Sequence, residues 1–235
     1  MFARVFTIVF LAALPALASP EAADRLAGEA LEAFTTGDFD KAAELLTKAI
    51  AEDGGRPEFY TNRGSCYDNL GKTADALRDF DVSFQKTVER THDPKDKGLA
   101  EIIYNRGATL ARAGRFREAI AEFERALTFD EAFPDARMDL AWILATNASE
   151  ELRKPAKALE YALEEIRRHG PHSPGAVDTL AAAYAATGKF DDAVTKEKEA
   201  IEQASNILQR KQYNERLRLY EGRKPFIEQP SPASH

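Results

Sequence analysis

The sequence predicts an all-α solenoid of about five helix–turn–helix hairpins, closed by a C-terminal capping helix. Three observations support this. Residues 104–127, YNRGATLARAGRFREAIAEFERAL, hold two apolar-periodic runs on either side of a glycine-containing bend. The same placement of small residues recurs along the chain at a period near 34 residues. A hydrophobic fraction of 44% at a formal net charge of −7 supplies a core, so the chain is not a disordered acidic one.

The 104–127 hairpin defines the pattern. Gly107 lies in its first run, and Ala119 and Ala126 lie in its second. Small residues at these places allow two antiparallel helices to approach closely. Gly114 ends the first helix where a left-handed residue is favoured, and Phe116 closes the bend.

Five copies align on this hairpin. The small residue of the first helix is Ala30, Gly64, Gly107, Ala141 and Ala181 in turn, and that of the second is Ala42, Ala76, Ala119, Ala158 and Ala193. The two residues stand 12 positions apart in every copy except the fourth, where five residues are inserted. A polar insertion at 91–99 separates copies two and three.

The expected helices follow in order. The first three copies pair 22–35 with 38–52, 57–70 with 73–90, and 99–113 with 116–128. Copy four begins at Pro134, reaches Thr146, and resumes at Pro155 after a loop over 147–154. Prolines suit helix starts because their missing N–H costs nothing there. A break at 170–174 precedes copy five.

With this period and unit, the chain resembles the tetratricopeptide repeat family over residues 22–203. The resemblance implies a right-handed solenoid with repeats near 23–56, 57–90, 100–133, 134–172 and 174–204. A capping helix over 205–221 and a flexible tail over 222–235 are expected to follow. The last two copies and the cap, including VDTLAAAYAATGKFDDAV and RLRLYEGRKPF, also resemble a subgroup of bacterial exported repeat proteins.

Residues 1–18 are interpreted as a signal peptide. Arg4 precedes an apolar run over 5–14, and Ala16-Leu17-Ala18 offers a cleavage site after Ala18. The run is shorter than the ~20 residues that span a membrane, although an N-terminal anchor is the alternative. We expect a periplasmic or otherwise exported protein without stable membrane insertion after cleavage.

No motif indicates chemistry. Cys66 is the only cysteine, so no intrachain disulfide forms, and its place in an expected helix favours a buried thiol. His92, His169, His172 and His235 belong to no set with metal-ligand spacing. An acidic pI of about 5.3 without a basic block argues against nucleic-acid binding. We therefore expect a protein that is not an enzyme, with no catalytic residue, metal or cofactor.

The family resemblance implies that the first helices line a concave groove that contacts partners. The positions that match are Thr61, Asn62, Ser65, Asp68 and Asn69, then Tyr104, Asn105 and Arg112, then Met138, Asp139 and Trp142, and finally Asp178 and Thr179. Packing between neighbouring hairpins is the alternative role for these side chains, and Trp142 could face the groove or the core. For Asn62 and Asn105, which recur as Asn-Arg-Gly, support of the backbone is an equal alternative.

The expected function is a scaffold that binds a peptide segment or a partner protein, with a role in cell-envelope assembly or maturation. Some family members clamp the carboxylate of a chaperone tail, but Ala27, Leu31 and Glu101 stand where the clamp residues would be needed. Acidic groove residues favour a neutral or basic segment. A solute-binding accessory protein of a transport system is the alternative function. Oligomeric state and partner identity stay open.

Overall fold

A computed structural model describes residues 19–93 and 96–228. Within them the chain forms eleven α-helices and no strand, which confirms the all-α prediction. The helices are α1 Pro20–Thr35, α2 Phe39–Glu52, α3 Pro57–Asn69, α4 Thr73–Thr91, α5 Gly98–Arg112, α6 Phe116–Phe129, α7 Pro134–Thr146, α8 Pro155–His169, α9 Pro174–Ala186, α10 Phe190–Gln203 and α11 Ile207–Glu221. The proposed signal peptide lies outside the described residues.

The helices pair as hairpins one to five, from α1 with α2 to α9 with α10, and each hairpin stacks on the next. Helix α11 packs against α10 at the end of the stack. The predicted solenoid with a C-terminal helix is therefore confirmed. The bend of hairpin three shows how each unit turns: Gly114 adopts a φ of +73°, and Arg115 N–H donates to Leu110 O at 2.8 Å.

Close helix contacts occur where the sequence predicts them. A Cβ placed on Gly107 would lie 2.7 Å from Cε1 of Phe123, and one on Gly64 would lie 2.8 Å from Cε1 of Phe80. Both phenylalanines are fully buried. Only glycine permits these rings to lie against the facing helix. Cys66 is buried as expected, and burial raises the pKa of its thiol to about 11.

The odd-numbered helices form the inner side of the solenoid. Helices α7 and α9 contact each other directly, as do α3 and α5, whereas the even-numbered helices make no comparable contact with one another in the described residues. Elements on the inside of a curved array lie closer together than those outside. We call the surface formed by the odd-numbered helices the inner face.

The flexible tail expected from residue 222 includes Lys224–Glu228, which the structure places against the solenoid. Arg223, with a φ of +52°, reverses the chain after α11, and Lys224 N–H donates to Leu219 O at 2.8 Å. Residues 226–228 are half-buried against the inner face, and Glu228 N–H donates to Thr146 O at 2.8 Å. A long-range backbone bond and aromatic packing hold them. Residues 229–235 lie outside the described part.

Candidate functional site on the inner face

Helix α3 presents a strip of polar side chains, several of which form hydrogen bonds within the chain. Thr61 Oγ1 lies 2.6 Å from Ser83 Oγ, and Ser83 donates to Pro57 O at 2.9 Å. Ser65 Oγ donates to Thr61 O, and Asn69 Nδ2 donates to Ser65 O. These contacts brace the helix, so the hydroxyls of Thr61 and Ser65 are less free than the sequence alone implied.

In both copies of the Asn-Arg-Gly tripeptide, the arginine forms an ion pair with a neighbouring helix. Arg63 donates to Asp79 at 2.7 and 2.8 Å, and both side chains are largely buried. Arg106, its counterpart, lies 3.0 Å from Asp81. The arginines of this tripeptide therefore make its contacts with the neighbouring helices.

The side-chain amides of Asn62 and Asn105 make no hydrogen bond anywhere in residues 19–93 and 96–228. Asn62 is exposed and Asn105 is half-buried. Each amide can donate and accept at the same time. They are the polar groups of the inner face best placed to meet a ligand.

Two contacts join neighbouring inner helices. Arg112 on α5 donates to Asp68 on α3, with Nε 3.1 Å from Oδ1. Tyr104 on α5 donates to Asp139 on α7 at 3.1 Å, and burial raises the pKa of the Asp139 carboxyl. These acids have partners within the chain. The preference for a neutral or basic segment stays a prediction, and these internal contacts favour its neutral form.

A buried charge cluster closes the C-terminal end of the inner face. Arg216 on α11 donates to both oxygens of Asp178 on α9, at 2.7 and 3.0 Å. Its Nε also lies 3.6 Å from Oε1 of Glu197 on α10. Asp178 is thus held in an ion pair and is not a free carboxylate.

Two buried carboxyls share this one guanidinium, so they cannot both be charged at low cost. Burial, reinforced by the nearby Asp178, raises the pKa of Glu197 to about 10. Burial raises the pKa of Asp178 as well, against the opposing pull of Arg216. Burial therefore favours the protonated form of Glu197 beside the ion pair of Asp178 and Arg216.

Trp142 faces the inner side, in contact with α11 and the segment after it. The Arg216 guanidinium carbon lies 5.3 Å from the centre of the Trp142 ring, 5.2 Å from that of Tyr213 and 5.4 Å from that of Phe226. The rings of Trp142 and Phe226 are 5.8 Å apart. Trp142 is half-buried, and its contacts are with α11 and with residues 226–228 of the same chain.

A pocket of about 560 Å³ opens beside this tryptophan. It collects five residues expected in the groove, which are Met138, Asp139, Trp142, Asp178 and Thr179. Met138 and Thr179 are buried in its walls. The sequence did not identify the residues that complete it from the C-terminal end, which are Gln212, Arg216, Phe226 and Glu228. No local pattern marks them, because Gln212 and Arg216 reach the pocket from α11, and Phe226 and Glu228 reach it only after the chain reverses at Arg223.

Family comparison agrees with this architecture. Residues 28–83 and residues 56–132 each match a model described as tetratricopeptide repeat. Residues 28–132 belong to the tetratricopeptide repeat family. This repeat is generally a non-enzymatic fold for protein interaction.

Its relatives include Hsp70-Hsp90 organizing protein 3 of Arabidopsis thaliana, 31% identical over 153 residues. That match covers 61% of this chain and a quarter of the relative's length. Among solved structures, pilF of Pseudomonas aeruginosa gives a TM-score of 0.66 at 18% identity and 86% coverage of both chains. A thermophilic repeat protein of Thermus thermophilus gives 0.60 at 20% identity, covering 83% of this chain and 98% of the other. At these identities the structures show the shared fold alone.

Within residues 19–93 and 96–228, no helix is long and apolar enough to cross a membrane. No group of three or more His, Cys, Asp or Glu side chains in the same residues is arranged to hold a metal ion.

Proposed function

We propose that this tetratricopeptide repeat protein is a non-enzymatic scaffold that binds a peptide segment of a partner protein on its inner face. The observation that carries the proposal is the pair of unpartnered amides, Asn62 on α3 and Asn105 on α5. They occupy the same position of successive repeats, each directly before the support arginine. Equivalent positions on adjacent inner helices present two amides in a row along the groove.

Such a row suits the backbone of a peptide. A peptide lacking internal hydrogen bonds exposes both N–H and C=O groups, and an asparagine amide can bond either of them. Asn62 and Asn105 would therefore fix the direction and register of a bound segment without demanding a particular side chain. Specificity would then come from the residues around them.

The ion pairs of the inner-face aspartates bear on the charge of the segment that the groove would bind. Asp68 and Asp178 are neutralised by arginines of the same chain, so the groove has no strong preference for a basic segment. The positions of a carboxylate clamp hold Ala27, Leu31 and Glu101, which provide no cation. An internal segment of a partner therefore fits better than a free C-terminal carboxylate.

The place of action belongs to the same proposal. The basic start, the apolar run and the small-residue site of residues 1–18 support export to the periplasm or beyond, and the resemblance of copies four and five to bacterial exported proteins supports the same reading. A role in assembly or maturation of envelope proteins would follow. A solute-binding accessory role is the second candidate, favoured by a pocket volume in the range of small-ligand sites.

The test is photocrosslinking in the native host, with a photoreactive amino acid placed at Asn62, at Asn105 or, as a control, at exposed Glu160 on α8. The proposal predicts that the two inner positions crosslink to the same partner and that position 160 does not. Equal yields from all three positions would contradict it. Absence of any captured protein, combined with thermal stabilisation by a small solute, would favour the second candidate.

A further inference from the structure

We propose that residues 224–228 are an internal ligand of the inner face. The matching partner segment would carry an aromatic residue followed two positions later by an acidic residue. This inference rests on the proposed function, since it identifies the side-chain chemistry that one part of the groove recognises. The residues that define the pattern are Phe226 and Glu228, in the sequence KPFIE.

Phe226 behaves as an anchor. Its ring lies 5.8 Å from that of Trp142 and 5.4 Å from the Arg216 guanidinium carbon. It also packs on the small cluster formed by Ala181, Ala185 and Tyr220. At this place an aromatic ring is stabilised by packing on the Trp142 ring, by a cation–π contact with Arg216 and by apolar burial.

Glu228 supplies the second contact. Its carboxylate accepts a hydrogen bond from Trp142 Nε1 at 3.2 Å, and its backbone N–H donates to Thr146 O at the end of α7. The carbonyl of Thr146 is among the last of that helix, which have no partner within the helix. The segment therefore binds in the manner of a peptide, through one ring, one carboxylate and one backbone bond.

Helix α11 caps part of the stack apart from this segment. Its Tyr213 is 4% exposed and packs with Val177 and Ala200, in a cluster separate from the one that Phe226 contacts. Lys224 and Pro225 are exposed, and residues 224–228 contain no helix or turn. The contacts of Phe226 and Glu228 can therefore be exchanged for the same groups on another chain.

Room for flanking residues of a partner is present beside the segment. The pocket of about 560 Å³ continues past Phe226 and Glu228 to Asp135, Met138 and His172. A tether that joins the segment to α11 keeps it at a high effective concentration, so it competes with any partner for Trp142. A variant whose segment binds the groove less tightly should bind a partner more tightly, because the segment blocks Trp142 in a smaller fraction of the molecules.

The test uses a labelled octapeptide, RKPFIEQP, which reproduces residues 223–230, and a matched peptide, RKPAIEQP. Binding is followed by fluorescence anisotropy on the full chain, on Phe226→Ala and on Lys224→Ala as the control at an exposed position. We expect RKPFIEQP to bind Phe226→Ala about tenfold more tightly than it binds the other two chains. RKPAIEQP should bind none of them. Glu228→Ala, which also weakens the segment, should shift affinity in the same direction, and circular dichroism verifies that each variant is folded.

Equal affinity of RKPFIEQP for the full chain and Phe226→Ala would overturn the internal ligand, as would equal binding of the two peptides. A peptide that converts a dimer of the full chain to monomers, seen by light scattering, would also overturn it, because the occupant would be the segment of a second copy.

Selection of random octapeptides on Phe226→Ala separates this inference from the proposed function. Enriched peptides with an aromatic residue and an acid two positions later support the inference. Enriched peptides without that pattern, binding the full chain equally well, overturn the inference and leave the proposed function standing. No binder to either chain contradicts both.

Discussion

Hairpins three and five solve the same packing problem in opposite ways. In hairpin three, the residue four positions after Ala119 is Phe123, whose ring rests on Gly107. In hairpin five, the residue four positions after Ala193 is Glu197, which is fully buried beside Asp178 and Arg216. The two helices of hairpin three are therefore held together by close apolar packing. Those of hairpin five are held together by a buried charge cluster to which α11 contributes Arg216.

This difference changes what each hairpin tolerates. An apolar contact between a ring and a glycine has no room for added volume. A cluster of two carboxyls and one guanidinium tolerates changes of shape better than the loss of its only cation. The end of the solenoid should accordingly be the part whose stability depends on α11 and on pH.

Arg216→Ala is expected to have the largest effect. It leaves Asp178 and Glu197 buried without a cation, and breaking a buried ion pair from one side costs about 3–5 kcal/mol. Urea unfolding at pH 7 measures the loss. Arg210→Ala, on the same helix but exposed, is the control and should change stability by less than about 0.5 kcal/mol. Equal losses for the two variants would refute the role of the cluster.

Gly107→Leu should destabilise the chain by about 2–3 kcal/mol, because its Cβ alone would meet Phe123 at 2.7 Å. The matched change is Gly28→Leu on α1, where a Cβ would meet nothing within 4 Å. Thermal melting of both variants compares them directly. If Gly107→Leu melts with the wild type, the ring-on-glycine contact does not hold hairpin three together.

Glu197→Gln should flatten the dependence of stability on pH. The folded pKa of Glu197, about 10, lies above the ordinary value of 4.5, so the folded state keeps a proton that the unfolded state releases. Its contribution to stability is therefore greatest below pH 4.5 and falls as pH rises towards 10. Between pH 6 and pH 8 the wild type should lose stability that the variant retains, up to about 3 kcal/mol for one proton over two pH units. Unfolding at both pH values, with Glu202→Gln as the exposed control, checks this; parallel losses would contradict it.

The repeat pattern was enough to predict the hairpins because its signals are local. Gly107, Gly114 and Ala119 each reflect a backbone constraint within a few residues of their own position. Small residues at the equivalent positions identified the less regular hairpins. Prolines at 57, 134 and 155 marked helix starts for the same reason.

The site was only partly predictable, because its contacts join distant parts of the chain. Trp142 and Glu228 are 86 positions apart, and a proline-containing stretch after a last helix is typical of a loose end. Asp178 and Arg216, 38 positions apart, form a pair that no repeat position requires. The repeat register alone, by contrast, predicted Asn62 and Asn105 as candidates. Only the structure shows that their side-chain amides lack hydrogen-bond partners in the described part of the chain, while Arg63 and Arg106 contact the adjacent helix.

The contact between Trp142 and the 224–228 segment is the point on which the account of the groove depends. Trp142 is the only tryptophan, so its fluorescence reports this contact alone. Acrylamide quenching of the full chain, Phe226→Ala and Lys224→Ala is the direct measurement. We predict that Phe226→Ala exposes the ring, with a red-shifted emission and stronger quenching, and that Lys224→Ala matches the wild type. Identical emission and quenching in all three chains would show that the segment does not cover Trp142.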